Sequence, residues 1–346
     1  MSYTYSEIKT QYGAIEKTLD RVLEQKSQIL EIMEQSKAKR LLFIGCGSSY
    51  EISVSAQYTA NLGGLPAFAL AAGDLMLHSE DYKKVIGDSL VVVVTRSGET
   101  HEILNAVKIL RESYGRKVLS VIARENSALQ KMSDMSVLIP WAYDESVCQT
   151  RTVSNLYIAS VLICAALTGN EQMFSGVREL AAQGDTYLGK IEPELQDAAK
   201  LDWNQTYVLG DGEICGILRE GALAFTEIAR ISGKYYHVLD VRHGPMVLIN
   251  EQSLVIVVLR KDGYDFYREL VKDLINKKAK VITFTYEDCP NIEGVQLALS
   301  YYGNPGTATA GIPALNMIQL ISYYKALETG FDPDHPEGLD AYIKLG

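Results

Sequence analysis

The sequence predicts an α/β protein built from two tandem, doubly wound parallel-sheet domains that arose by internal duplication. Three observations carry this. First, Ser89-Leu90-Val91-Val92-Val93-Val94-Thr95-Arg96 returns as Ser253-Leu254-Val255-Ile256-Val257-Val258-Leu259-Arg260, 164 residues later. A second block, Lys117 to Ile122, returns as Lys280 to Thr285 at an offset of 163, and upstream Leu41-Leu42-Phe43-Ile44-Gly45-Cys46-Gly47 corresponds to Tyr207 to Gly212. That period is a domain length, far too long for a solenoid repeat. Second, the repeated runs are continuous in Val, Ile and Leu, as in strands buried on both faces of a parallel sheet. Third, each run alternates with a helical-looking segment, the pattern of right-handed βαβ crossovers.

In chain order, residues 1–36 read as an N-terminal helical segment with Ile15, Leu19, Val22, Leu23, Ile29, Leu30 and Ile32 on its apolar stripe. Residues 37–170 form the first domain, with helical segments at His101 to Glu112 and from about residue 152 onward. Residues 171–200 read as a helical connector and 201–330 as the second domain, including a helix over Tyr264 to Lys277 and a last helix from about Pro313 to Glu328. The tail, 331–346, carries Pro333 and Pro336 and lacks helical periodicity.

Composition excludes several function classes. Against 33 Lys and Arg stand 43 Asp and Glu, a formal charge of −10, which opposes binding to nucleic acid or an acidic membrane surface. The five cysteines, Cys46, Cys148, Cys164, Cys215 and Cys289, contain no CxxC pair, so neither a metal site nor a disulfide framework is expected. The polar N-terminal stretch lacks the apolar core of a signal peptide, and the most apolar stretch, Leu156 to Leu167, reads as too short for a membrane span. A reduced cytoplasmic setting is expected.

Two loops of the first copy follow apolar strands and open helices: Gly45-Cys46-Gly47-Ser48-Ser49-Tyr50 and Thr95-Arg96-Ser97-Gly98-Glu99-Thr100. In a parallel sheet both lie at the carboxyl edge, where open α/β folds bind ligands. Helix starts present unpaired N–H groups and a partial positive charge, so Ser, Thr and Gly there make a phosphate cradle that needs no lysine. The plainer alternative is that the hydroxyls cap helices and the glycines make turns. A dinucleotide fingerprint is weaker, because Tyr50 occupies the third glycine position. Cys46 reads as a small apolar turn residue. The second copy has lost the hydroxyls: Leu259-Arg260-Lys261-Asp262-Gly263-Tyr264 stands in place of Thr95 to Thr100. Its own distinctive segment is Glu220-Gly221-Ala222-Leu223-Ala224-Phe225-Thr226-Glu227, followed by Arg242-His243-Gly244-Pro245. Glu220 and Glu227, seven apart, share a helix face beside an apolar stripe, a setting that suits a carboxylate to acid–base work. Taken alone, Glu227 is more often a solvated helix residue and His243 an ordinary turn residue.

These motifs resemble the sugar isomerase (SIS) family, specifically its flavodoxin-like two-domain members. These are the isomerase half of glucosamine-6-phosphate synthase, amino-sugar-phosphate isomerase/deaminases and fructosamine-6-phosphate deglycases. The resemblance implies that Ser48, Ser49, Thr95, Arg96, Ser97 and Thr100 hold a sugar phosphate, with Gly47 and Gly98 shaping the loops, and that Val147 makes a main-chain contact to the sugar. It implies that Glu227 moves the proton between C1 and C2 and that Glu220 supports it. His243 would assist ring opening in a partner subunit's site, which makes the protein a homodimer with shared sites, or a tetramer. No metal and no cofactor are implied. Two departures stand out. Ala224 occupies the place of a lysine between the glutamates, and Ala341 that of a tail lysine, for which Lys344 is the nearby substitute. The tail around Asp334-His335-Pro336 otherwise resembles the synthase tail. Both losses favour amine-releasing substrates over synthase chemistry. Plain aldose–ketose isomerisation and a non-catalytic sugar-phosphate sensor are the alternatives.

Overall fold

The computed structural model describes residues 2–303 and 306–340. The chain forms two compact units, each built on its own five-stranded parallel sheet. One holds residues 10–145 and 149–181. The other holds the residues up to Lys9, residues 146–148 and residues 182–339.

The helices α1 (Tyr3–Glu24) and α2 (Lys26–Ser36) come first. The first sheet then runs through β1 (Arg40–Gly45), α3 (Ser48–Leu62), β2 (Ala67–Ala71), α4 (Ala72–His78), α5 (Lys83–Gly87), β3 (Ser89–Thr95), α6 (His101–Glu112), β4 (Val118–Ile122), α7 (Ala128–Met132) and β5 (Met135–Leu138). After α8 (Arg151–Thr168) and α9 (Glu171–Ala199) the second sheet follows. It comprises β6 (Gln205–Gly210), α10 (Cys215–Ile228), β7 (Ser232–His237), β8 (Ser253–Leu259), α11 (Tyr264–Asn276), β9 (Lys280–Thr285) and β10 (Leu297–Ser300), closed by α12 (Gly306–Thr329).

The duplication is visible in the topology. The strand orders β2-β1-β3-β4-β5 and β10-β9-β8-β6-β7 are the same order read from opposite ends, with β6 to β10 standing for β1 to β5. Registers repeat too: Arg40 pairs with Ser89 in the first sheet, Gln205 with Ser253 in the second. The continuous apolar runs take the most enclosed positions. Every residue of β3 and of β8 is buried, because helices cover both faces of each sheet. In the first unit Val91 and Val93 of β3 pack with Ile103, Val107 and Leu110 of α6. In the second, Val255 and Val257 of β8 pack with Leu270, Val271 and Leu274 of α11. On the other faces α3 meets α8, and α10 meets α12.

Three expectations need correction. Leu30, placed on the apolar stripe, is 44% exposed, whereas Ile29 and Ile32 of the same helix are buried. The last helix starts at Gly306 rather than near Pro313, which lies inside it. Burial of nearly the whole of α12 compensates for the one ladder bond a proline removes. Finally, α8 extends Leu156 to Leu167 at both ends into 18 residues, long and apolar enough to cross a membrane by length and composition. It is 83% buried inside the protein, and a helix apolar on all sides suits a core as well as a bilayer.

Candidate functional site

In the first sheet the chain reverses its direction of winding between β1 and β3, and this switch point opens the carboxyl-edge crevice where doubly wound folds take ligands. The two Ser/Thr-rich loops leave the sheet on either side of it. After β1, Gly45 must be glycine: a Cβ there would stand 2.4–2.6 Å from the main chain of Ser49 and Tyr50. The start of α3 is therefore pressed against the strand end. Gly47 (φ +51°) sits at the N-cap position and offers no side chain. The amides of Tyr50 and Glu51 return to its carbonyl at 2.9 and 3.0 Å. The amides of Gly47 and Ser48, and the hydroxyls of Ser48 and Ser49, have no partner among the described residues, although both serines are buried. Unpaired donors that remain accessible at a helix start can meet an incoming acceptor.

After β3 the loop is locked from behind. The Glu99 carboxylate accepts the Ala128 amide at 2.9 Å, the Gly98 carbonyl accepts Leu129 N–H at 3.1 Å, and a Cβ on Gly98 (φ +64°) would lie 2.4 Å from Ser127 Oγ. The Gly98 amide donates to Thr95 Oγ1 at 3.3 Å and the Glu99 amide to Ser97 Oγ at 3.1 Å. Each hydroxyl thus uses its oxygen on the loop and keeps its proton for another acceptor. Thr100 precedes α6 without a side-chain cap bond, so the capping alternative does not account for it. Arg96 is buried in the same loop. Burial pushes the Cys46 thiol up to about 12, so it carries no thiolate at neutral pH.

The corresponding edge of the second sheet is filled by its own charges. Tyr267 donates to Asp211 at 2.6 Å, Arg260 lies 3.7 Å from Asp211 and 3.8 Å from Glu287, and the Lys261 amide donates to Glu287. Two carboxylates therefore stand at this edge, which disfavours an anion there.

In that second unit, α10 carries both glutamates, about 10 Å apart along its axis at 1.5 Å per residue. Glu220 is buried and Glu227 is half-buried in the last turn, flanked by buried Ala224 and Ile228. Ala224, the residue in the lysine position, packs with Cys148, Ile228 and Ala326, and Leu339 of the tail lies against this cluster. His243 is exposed; its amide closes a short turn onto the Asp240 carbonyl at 2.8 Å. Val147 is half-buried, and its amide already donates to the Asp334 carbonyl at 3.2 Å, so a sugar contact through that amide would compete with this bond. Ala341 and Lys344 lie outside the described residues. The structure brings Ser48, Ser49, Thr95, Arg96, Ser97 and Thr100 to one sheet edge of one unit, and Glu220, Glu227, His243 and Val147 into the other. A cavity of about 620 Å³ between α9 and β10 contains none of them. Among the described residues no cluster of three His, Cys, Asp or Glu could hold a metal ion.

Sequence reasoning missed Glu99, Glu7 and Asp334 as organisers. Glu99 was legible as the acidic member of Ser-Gly-Glu-Thr, whereas Glu7 acts on Ser146, 139 residues away, and Asp334 on Thr4, 330 residues away, and neither leaves a local signal.

Residues 35–166 match the model of the SIS domain. That stretch of the chain carries a SIS domain. The chain is 26% identical over 97% of its length to glutamine–fructose-6-phosphate aminotransferase (isomerizing) from Sulfurisphaera tokodaii, and spans 55% of that relative, about half its length. Among solved structures, tagatose-6-phosphate ketose/aldose isomerase from Escherichia coli superposes with a TM-score of 0.85 at 20% identity, covering 100% of this chain and 96% of that one. Glucosamine-6-phosphate deaminase from Thermotoga maritima gives 0.77 at 22% identity, with 95% and 100% covered. These likenesses show that the α/β fold they share with the chain extends through both units, in line with the repeated strand order.

Proposed function

We propose that this protein is a cytoplasmic SIS-family enzyme that moves a proton between C1 and C2 of an amino-sugar or fructosamine 6-phosphate and releases the amine. The observation that carries the reading is the set of amide and hydroxyl donors gathered at the ends of β1 and β3, of which the Gly47 and Ser48 amides and the Ser48 and Ser49 hydroxyls have no partner among the described residues. A phosphate held by main-chain amides and hydroxyls is bound remotely from the reacting carbons, so its binding energy can orient them. Ser48, Ser49, Thr95, Ser97 and Thr100, with Arg96 in the same loop, hold the phosphate, and Val147 bounds the sugar.

Glu227 is the proton carrier. On a fructosamine its carboxylate takes the C1 proton, giving an enolamine, and returns it at C2. This leaves an imine at C1, water adds there, and the C1–N bond breaks with the amine as leaving group. One carboxylate serves both carbons, and Glu220 supports it from two turns earlier. The fructose 6-phosphate and glucosamine 6-phosphate in the relatives' names support the substrate class, and the aminotransferase and deaminase names support nitrogen on the sugar. Ala224 in the lysine position supports a route with less need for a ring-opening amine. His243 serves a partner subunit's site in a homodimer. Exposed Val247 (78%) and Leu248 (56%) beside it supply the apolar surface such an interface needs.

The test is a screen of 6-phosphorylated amino sugars and Amadori compounds for amine release, run beside Glu227→Gln. That variant is expected to abolish turnover and leave affinity for the phosphorylated ligand within about tenfold. Turnover by Glu227→Gln, or no amine from any member of the screen, overturns the reading. Ketose formed without amine release would favour the simple isomerase.

A further inference from the structure

Ser146, Val147 and Cys148 precede α8 in sequence, yet they belong to the unit of the second sheet. Two acidic residues remote in sequence hold them there. Glu7, buried in the first turns of α1, accepts the Ser146 amide at 3.3 Å and the Ser146 hydroxyl. Asp334 acts twice. Its main-chain oxygen accepts the Val147 amide at 3.2 Å. Its carboxylate accepts the Ser2 hydroxyl at 2.6 Å and the Tyr3 and Thr4 amides at 2.9 and 2.8 Å. Beside it, Thr4 Oγ1 donates to the Pro333 carbonyl at 2.9 Å.

The first amides of a helix have no partner within it and sit at its positive end, so a carboxylate there is held by charge-assisted bonds. Asp334 is thus the N-terminal cap of α1, supplied from the far end of the chain. Residues 330–340 form no helix or strand, so no ladder fixes the Asp334 carbonyl. Other tail contacts hold its ends: the Phe331 amide donates to the Ala326 carbonyl at 2.9 Å, the Arg230 guanidinium lies over the Phe331 ring at 5.1 Å, the Asp334 amide donates to Asp332 Oδ1 at 2.9 Å, Leu339 packs on the α10 cluster, and the solvent-exposed Arg230–Glu337 pair adds little. Cys148, at the end of the held segment, packs on Ala224 and Ile228, the α10 residues on either side of Glu227.

We propose that Asp334 is a positioning residue: by capping α1 with its side chain it fixes its own carbonyl on Val147, and so seats the Ser146–Cys148 strap against the turn of α10 that carries Glu227. This rests on the reading of Glu227 as the proton carrier. The cap and the strap are then one device, and loosening the cap must loosen the strap.

The test is hydrogen exchange on the full chain, reading peptides that cover residues 2–9 and 144–149, in wild type, Asp334→Ala and Asp334→Asn. Asp334→Ala keeps the carbonyl that accepts Val147, so a merely local cap would raise exchange in residues 2–9 alone. The expected result is faster exchange in both peptides, with partial recovery in Asp334→Asn, which retains one acceptor oxygen. On the substrate found by the screen, kcat should fall at least tenfold while affinity for inorganic phosphate stays unchanged. Unaltered exchange at 144–149 in Asp334→Ala overturns the proposal, as does an unaltered kcat with a loosened strap. If Asp334→Ala does not fold, Ser2→Ala, which removes one of the three carboxylate contacts, gives the same comparison at smaller amplitude. Glu227→Gln is measured alongside. If it still turns over, the proton-carrier reading fails and the exchange result stands by itself; if it is inactive while Asp334→Ala is unimpaired, only the positioning role fails.

Discussion

Gly98→Ala is the substitution whose effect can be worked most fully from the structure. At φ +64° an L-residue is in the left-handed region, which costs roughly 1–2 kcal/mol. The new Cβ would stand 2.4 Å from Ser127 Oγ and 2.7 Å from Ser127 Cβ, distances that real Cβ atoms do not show, so Ser127 has to move. Ser127 caps α7 by accepting the Gln130 amide, and losing such a cap costs about 1 kcal/mol. The sum is about 2–3 kcal/mol, which for a unit of this size lowers the melting midpoint by roughly 4–12 °C. Gly115→Ala is the control: its φ is +60° with open space around the Cβ, so it carries the backbone cost alone. Thermal unfolding with and without fructose 6-phosphate reads both effects. Gly98→Ala should melt below Gly115→Ala and should lose at least tenfold in ligand affinity, since its amide organises Thr95. Equal melting of the two variants, with ligand stabilisation intact, would refute the argument that the loop is locked onto Ser127.

Ser97→Ala with Thr100→Ala should weaken phosphorylated sugars more than tenfold, at about 1.5–3 kcal/mol per hydrogen bond to a charged group. In calorimetry the same loss for the unphosphorylated sugar would remove the phosphate assignment. Mixing Glu227→Gln and His243→Ala subunits should restore part of the activity each lacks; verified heterodimers with no recovery would show that sites are not shared. Glu192 accepts Tyr324 and Tyr5 at 2.6 and 2.7 Å and Lys9 at 2.7 Å. Burial alone would raise its pKa, but these donors outweigh it and hold the carboxyl below its ordinary value of 4.5. Its contribution is therefore present above pH 4.5 and fades as pH falls through the lowered value. The stability gap between wild type and Glu192→Gln should shrink on acidification, and a gap independent of pH would contradict this.

Much of the fold was legible because strand burial and helix alternation are local signals. The matched runs became β3 and β8, and β4 and β9, and the helix expected from His101 begins there. The position of the two Ser/Thr-rich loops was legible for the same reason: a strand end, a glycine and a helix start lie within six residues. What failed was set by neighbours. Leu30 has the right spacing for the apolar stripe yet faces outward, because helix period alone does not say where the packed face ends. The start of α12 was misjudged because proline weighs on local propensity, while burial on every side of that helix outweighs one missing hydrogen bond.

The amino-acid order by itself determined two copies of one sheet and the place of the donors at the edge of the first, since both follow from patterns shorter than a single crossover. Only tertiary structure decided that Asp334 caps a helix begun more than three hundred residues earlier. It alone decided that Val147 spends its amide on that tail, and that Asp211 and Glu287 fill the second copy's edge. A hydrogen bond depends on where two groups meet in space, and for partners this far apart in the chain no spacing along it records the meeting.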